Sequence, residues 1–174
     1  MKLFSSHAVV STALLCSASA MASPFTPIEK TQYMTTDSTT SSTLLRSVNP
    51  TGTLIPGISQ AVIVGGGRTM YLSGHVPLST EGKVPAGMEA QLVLAFENLN
   101  ATLMAAGATA RNLARISIYV RDFHADQLPV IRQVRDRFID ESLPPASALI
   151  GVAELFHPDV LVEVDAIAVL PPTN

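Results

Sequence analysis

The sequence predicts an α+β domain, a single mixed β-sheet with two helices on one face. Three observations carry this. The run Val160–Leu170 alternates as a strand does: Val160, Val162, Val164, Ala166 and Ala168 share one face, and Leu161, Glu163, Asp165, Ile167 and Val169 the other. Two stretches of helical periodicity are separated by a strand-like run rather than following one another. The remaining strand-like runs are punctuated by Gly, Pro and Asn turn signals.

The 174 residues are 47% hydrophobic and 14% charged, enough apolar material for a real core. The formal net charge is −3 and Lys and Arg do not cluster, so no nucleic-acid partner is expected. Lys2, the short apolar run Ala8–Cys16 and the small-residue sites Ala18-Ser-Ala20 and Ala20-Met-Ala22 have the order of a secretory signal. Residues 1–22 are therefore expected to be removed, giving a periplasmic or secreted chain with no membrane attachment. Cys16 is the single cysteine and would leave with the signal. The mature chain would then have no disulfide, thiol nucleophile or thiolate metal site. Residues 23–47, rich in Ser and Thr, read as a flexible lead-in, and the domain is expected over 48–174.

Within the domain, Ala61–Val64 and Thr69–Ser73 read as a hairpin across Gly65-Gly-Gly-Arg68. No helix and no Lys-Ser/Thr pair follow these glycines, so they are not a phosphate loop. Met88, Leu92, Phe96, Leu99, Leu103 and Ala106 recur at helical spacing, with Gly107 as the stop. Ile116–Val120 alternates as a strand. Asp126 opens a second helix, with Leu128, Ile131, Val134 and Phe138 buried and Arg132, Arg135, Asp136 and Arg137 on its wet side. Pro144-Pro145 ends it, Ala146–Val152 is a short strand, and Val160–Leu170 closes the sheet. With both helices on one face the other is uncovered, which predicts association with further copies of the chain.

The acids of the last strand stand out, because an unpaired buried charge is costly. Glu163 is either a site residue or a rim residue paired with a neighbouring subunit, and the strand alone does not choose.

Gly57-Ile-Ser-Gln-Ala-Val62, Tyr71-Leu-Ser-Gly-His-Val-Pro77, Asn98-Leu99 with Ala105-Ala-Gly107, Pro144-Pro-Ala-Ser147 and Val162-Glu-Val-Asp-Ala-Ile-Ala168, in that order and spacing, resemble the Rid/YjgF family. These are the reactive-intermediate deaminases once labelled endoribonuclease L-PSP. The resemblance spans about Val48 to Leu170. It implies a chorismate-mutase-like fold, a homotrimer, and small-molecule clefts at the subunit interfaces. It also implies hydrolysis of imine or enamine compounds without metal or organic cofactor.

Carried over by position, the family's water-positioning glutamate is Glu163, and its Ser-Gly turn is Ser73-Gly74. The cleft tyrosine is replaced by Ile58, followed by Ser59. The arginine that grips a substrate carboxylate is replaced by Ser147, and His75 stands where glutamine is common. A hydroxyl cannot replace a guanidinium as a fixed cation, so this chain resembles the subgroups that lack the arginine. Glu163 is the candidate catalytic residue; Ile58, Ser59, Ser73, Gly74, His75 and Ser147 are candidate ligand-binding residues. Two readings follow: an imine or enamine deaminase acting without the usual anchor, or a non-catalytic trimer that binds a small metabolite or a protein. A ribonuclease is disfavoured by the acidic balance. His75, His124 and His157 have no metal-ligand spacing.

Overall fold

The computed structural model describes residues 44–173. The signal-peptide reading of 1–22 and most of the lead-in lie outside these residues. The lead-in's last part, Leu45–Ser47, belongs to a strand.

In chain order the elements are β1 (Leu45–Val48), β2 (Ala61–Val64), β3 (Arg68–His75), α1 (Met88–Ala105), β4 (Leu113–Arg121), α2 (Leu128–Phe138), β5 (Ala146–Val152) and β6 (Val162–Leu170), with short 3₁₀ turns before β4 and α2. The main sheet has the order β3-β6-β4-β5. β6 is antiparallel to both its neighbours, β3 and β4, and β5 runs parallel to β4. The sheet is therefore mixed, with β6 central, as its long apolar alternation requires.

The helices cover one face. Leu92, Phe96, Leu99 and Leu103 of α1 and Ile131 and Val134 of α2 are buried against Ile116, Ile118, Val120, Val162, Val164 and Ala166. Phe96 and Phe138 stack with ring centres 5.3 Å apart, joining the two helices. Each fully buried large side chain contributes roughly 2–3 kcal/mol, so this layer supplies most of the hydrophobic stabilisation.

Four details differ from expectation. β2 pairs with β1 in a separate two-stranded ribbon, and β3 pairs with β6, so the expected β2–β3 hairpin does not form. Gly65–Gly67 let the chain pass from the ribbon to the sheet instead of turning back. The ribbon also covers one end of the sheet's second face, where Leu45 and Val62 pack on Ala114 and Val169. Only the remainder of that face is open, and there Tyr71 is 79% exposed.

Two polar helix residues are buried, Gln91 and Arg135, the second expected on the wet side. Gln91 donates from Nε2 to the carbonyls of Pro85 (2.9 Å) and Asp159 (2.8 Å), and its Oε1 accepts from the Leu161 amide at 2.7 Å. A fully bonded amide is tolerated in a core, and this one ties the start of β6 to α1. Arg135 is 4% exposed; it bonds Asp136 and the Pro56 carbonyl.

Candidate functional site

Partners in strand register share a face of the sheet, so the pairing assigns each side chain to a side. Val162, Val164 and Ala166 face the helices, and Glu163 and Asp165 therefore face the open side. Across β4 the register pairs Glu163 with Tyr119 and Asp165 with Ser117. The Tyr119 hydroxyl donates to Asp165 Oδ2 at 2.9 Å. That bond comes first among the causes raising the phenol above its usual range, followed by burial and the Asp165 charge, with a smaller contribution from the Glu163 charge.

On the other flank of β6, Leu72 pairs with Ala166 and His75 with Val164. Two residues, Ser73 and Gly74, thus oppose Asp165 alone, which is a β-bulge. The bulge turns both toward the open face. A Cβ built on Gly74 would lie 1.7 Å from Glu163 Oε1. Only glycine leaves room for the carboxylate to lie against the β3 backbone. Ser73, Gly74 and Glu163 are thus brought together, with Tyr119 and Asp165 beside them.

The bulge sends His75 the other way. Its Nε2 lies 2.8 Å from Thr102 Oγ1 on α1, and its Nδ1 is buried without a partner among the described residues. His75, a candidate ligand-binding residue, thus stands on the helix side through the two-for-one register of the bulge.

Ile58, Ser59 and Ser147 form a second group. Ser59 bridges Ala146, and its amide donates to the Pro145 carbonyl at 3.0 Å. It is only 1% exposed. Its hydroxyl lies within bonding distance of the Pro144 carbonyl (2.5 Å) and Ser47 Oγ (2.8 Å). That hydroxyl pins the segment to the start of β5. Ser147 pairs with Ile116 and so belongs to the helix side of the sheet, at its β5 edge. Ser147 and Glu163 lie two strands apart, about 10 Å in the hydrogen-bonding direction, and on opposite faces. Within one chain the two groups of candidate residues are not joined.

Two arginines share the open face with Glu163. Arg121 bonds the Pro158 carbonyl and lies 3.8 Å from Asp122. Arg115 is exposed and pairs in register with Ile167, four positions from Tyr119, or about 13 Å along the strand. Neither stands beside Ser147 on its own face. Among the described residues no three His, Cys, Asp or Glu side chains gather as a metal site.

Residues 55–170 match the family model described as Endoribonuclease L-PSP, which spans the main sheet, both helices and both groups of candidate residues. The chain belongs to the Rid/YjgF family. Among its Rid relatives, a RutC family protein of Aquifex aeolicus is 32% identical over 112 residues, 63% of this chain and 86% of that one. A 2-iminobutanoate/2-iminopropanoate deaminase of Dermatophagoides farinae is 33% identical over 114 residues, 64% of this chain and 84% of that one. In structure, the Rid protein YyfB of Yersinia pestis superposes with a TM-score of 0.67 at 31% identity, covering 74% of this chain and all of that one. TdcF of Escherichia coli with bound serine gives 0.54 at 28% identity, covering 67% and 91%.

For this Rid chain, the motifs named Glu163, Ser73 and Gly74 as candidates, and the structure places the three side by side. Tyr119 and Asp165 escaped assignment because their tie to Glu163 depends on register between strands more than 40 residues apart in sequence. The signal that could have found them is β6 itself: two acids on one face need a polar neighbour.

Proposed function

We propose that this chain is a deaminase-type hydrolase of small imine or enamine compounds, acting in clefts between copies of itself. The observation that carries this reading is the seating of Glu163 on Gly74, inside the bulge that also presents Ser73. Hydrolysis of an imine adds water across C=N and then releases ammonia, leaving a carbonyl. Glu163 accepts a proton as water attacks the imine carbon, and the backbone of the bulge orients the substrate. The D. farinae relative, named for this chemistry, supports the assignment.

The two half-sites support the trimeric arrangement. Glu163 with Ser73 and Gly74 lies on the open face, and Ile58 with Ser147 at the β5 edge; a neighbouring copy that covers the open face would bring its own edge to the first chain's Glu163. Tyr71, Ile150 and Val152 then lie within the contact. Light scattering on the mature chain should give a mass of three protomers, and a charge at Tyr71 should reduce it to one.

The deciding experiment measures ammonia release from freshly generated imines, with and without a carboxylate, by wild type and Glu163→Gln. Acceleration by wild type and its loss in the variant are expected. An inert wild-type protein would instead support the second reading, a trimer that binds a small ligand without turnover, which the replacement of both the tyrosine and the arginine by Ile58 and Ser147 favours.

A further inference from the structure

The segment that carries Ile58 is built to be rigid. The Ile58 amide donates to the Ile55 carbonyl at 3.1 Å, closing a tight turn. Gly57 has φ +72°, and a Cβ there would meet Arg135 Nη2 at 2.3 Å and Asp136 Oδ1 at 2.5 Å. The turn therefore lies flat on α2, locked by the bond from Arg135 Nη2 to the Pro56 carbonyl at 3.0 Å. A rigid turn would normally tuck its apolar side chains in, yet this one leaves Leu54 78% and Ile55 42% exposed.

These side chains, with Ile58 and Pro144, wall a cavity of about 340 Å³, whose charged lining is Asp136 and Glu141. Asp136 is balanced by Arg135, with Oδ1 and Nη2 2.7 Å apart. Glu141 is exposed and has no hydrogen bond or ion pair from its side chain among the described residues. The cavity thus combines apolar walls with one uncompensated carboxylate, and no arginine or lysine lines it.

We propose that this cavity is a specificity pocket of the cleft and selects a small branched apolar ligand whose polar end is an ammonium, iminium or imine nitrogen, not a carboxylate. The assignment of the pocket to the cleft rests on the functional reading above, through Ile58; the ligand class rests on the cavity itself. An apolar chain loses water against Leu54, Ile55 and Ile58, and its nitrogen meets Glu141. A carboxylate there would face a like charge with no cation to grip it. Opposite and like charges a few ångströms apart, even beside an exposed carboxylate, differ enough to discriminate about tenfold.

The test uses two probes of nearly the same skeleton, 3-methylbutylammonium and 4-methylpentanoate, titrated into the full chain and followed by backbone amide shifts. The ammonium should bind at least about tenfold more tightly, with the largest shifts at Ile55, Gly57 and Ile58, and Glu141→Lys should reverse the preference. Equal or tighter binding of the carboxylate, no binding of either probe, shifts centred elsewhere, or an unchanged ratio in Glu141→Lys would each overturn the proposal. The same samples assayed for imine hydrolysis separate the two readings. Turnover that needs Glu163 but shows no charge preference would sink the pocket and leave the deaminase. A charge preference that needs Glu141, with turnover indifferent to Glu163→Gln, would do the reverse.

Discussion

Glu163 fills the space beside Gly74 that a side chain would need: a Cβ at position 74 would fall 1.7 Å from Glu163 Oε1. The bulge of β3 sets the glycine and the central strand sets the glutamate, so the position of the carboxylate is decided jointly by two strands 89 residues apart in sequence.

Gly74→Ala should therefore act through Glu163. The half-buried carboxylate can swing toward solvent, so the stability change should stay near 1 kcal/mol. Turnover of imines should fall to the level of Glu163→Ala. Adding Gly74→Ala to Glu163→Ala should cost no further activity, a non-additivity that a double-mutant cycle on ammonia release reads directly.

Ser147→Arg would place a guanidinium, able to grip a carboxylate as a bidentate fork, at the edge of β5. Hydrolysis of 2-imino acids should rise at least about tenfold over wild type, while imines without a carboxylate should gain nothing. An equal gain for both kinds of substrate would show that Ser147 lies away from the carboxylate end.

Arg135 clamps the Ile58 turn to α2. Arg135→Met keeps much of the side chain's volume but leaves the Pro56 carbonyl and Asp136 without their donor. A loss of about 2 kcal/mol is expected, lowering Tm by roughly 5 °C, together with a stronger preference for the ammonium probe at the adjoining pocket, where Asp136 then joins Glu141 as an unbalanced carboxylate. Thermal melts and the probe titration check the two effects on one sample.

Acid should weaken one identified link. Arg111 Nε lies 2.5 Å from Asp140 Oδ2, and the Ser142 amide and hydroxyl donate to the other oxygen. The Arg111 bond first, then the Ser142 bonds, hold the Asp140 carboxyl down from 3.8 to about 2. A carboxyl lowered on folding contributes stability that is fully present above its ordinary value and is lost as pH falls through the folded one. Urea midpoints between pH 4 and pH 2 should therefore fall less steeply in Asp140→Asn than in wild type. Parallel slopes would remove Asp140 from the acid limb.

The class of fold and its core were legible because they rest on periodicity. The stripe Leu92, Phe96, Leu99 and Leu103 and the alternation of β6 report which side of each element meets apolar neighbours, and burial acts on each element separately. Glu163, Ser73 and Gly74 could be named as candidates because the family motifs that carry them are contiguous stretches of chain. Pairing was not. Whether Ala61–Val64 meets β3 or β1 depends on competition among strands for edges, and three glycines between them permit either outcome. The same holds for side-chain direction at an irregularity: a strict alternation says nothing of a bulge, and one added residue turned His75 to α1 while leaving Gly74 beneath Glu163. Arg135 and Gln91 carry a polar signature, which in sequence reads as solvent. Only the folded chain supplies the carbonyls of Pro56, Pro85 and Asp159 that make their burial tolerable. The sequence by itself determined which elements form and which faces they bury, because those follow from local spacing. Tertiary structure decided which strands pair, which polar groups are satisfied inside, and that Glu163 and Ser147 stand on opposite faces of one sheet, because those depend on partners far away in the chain.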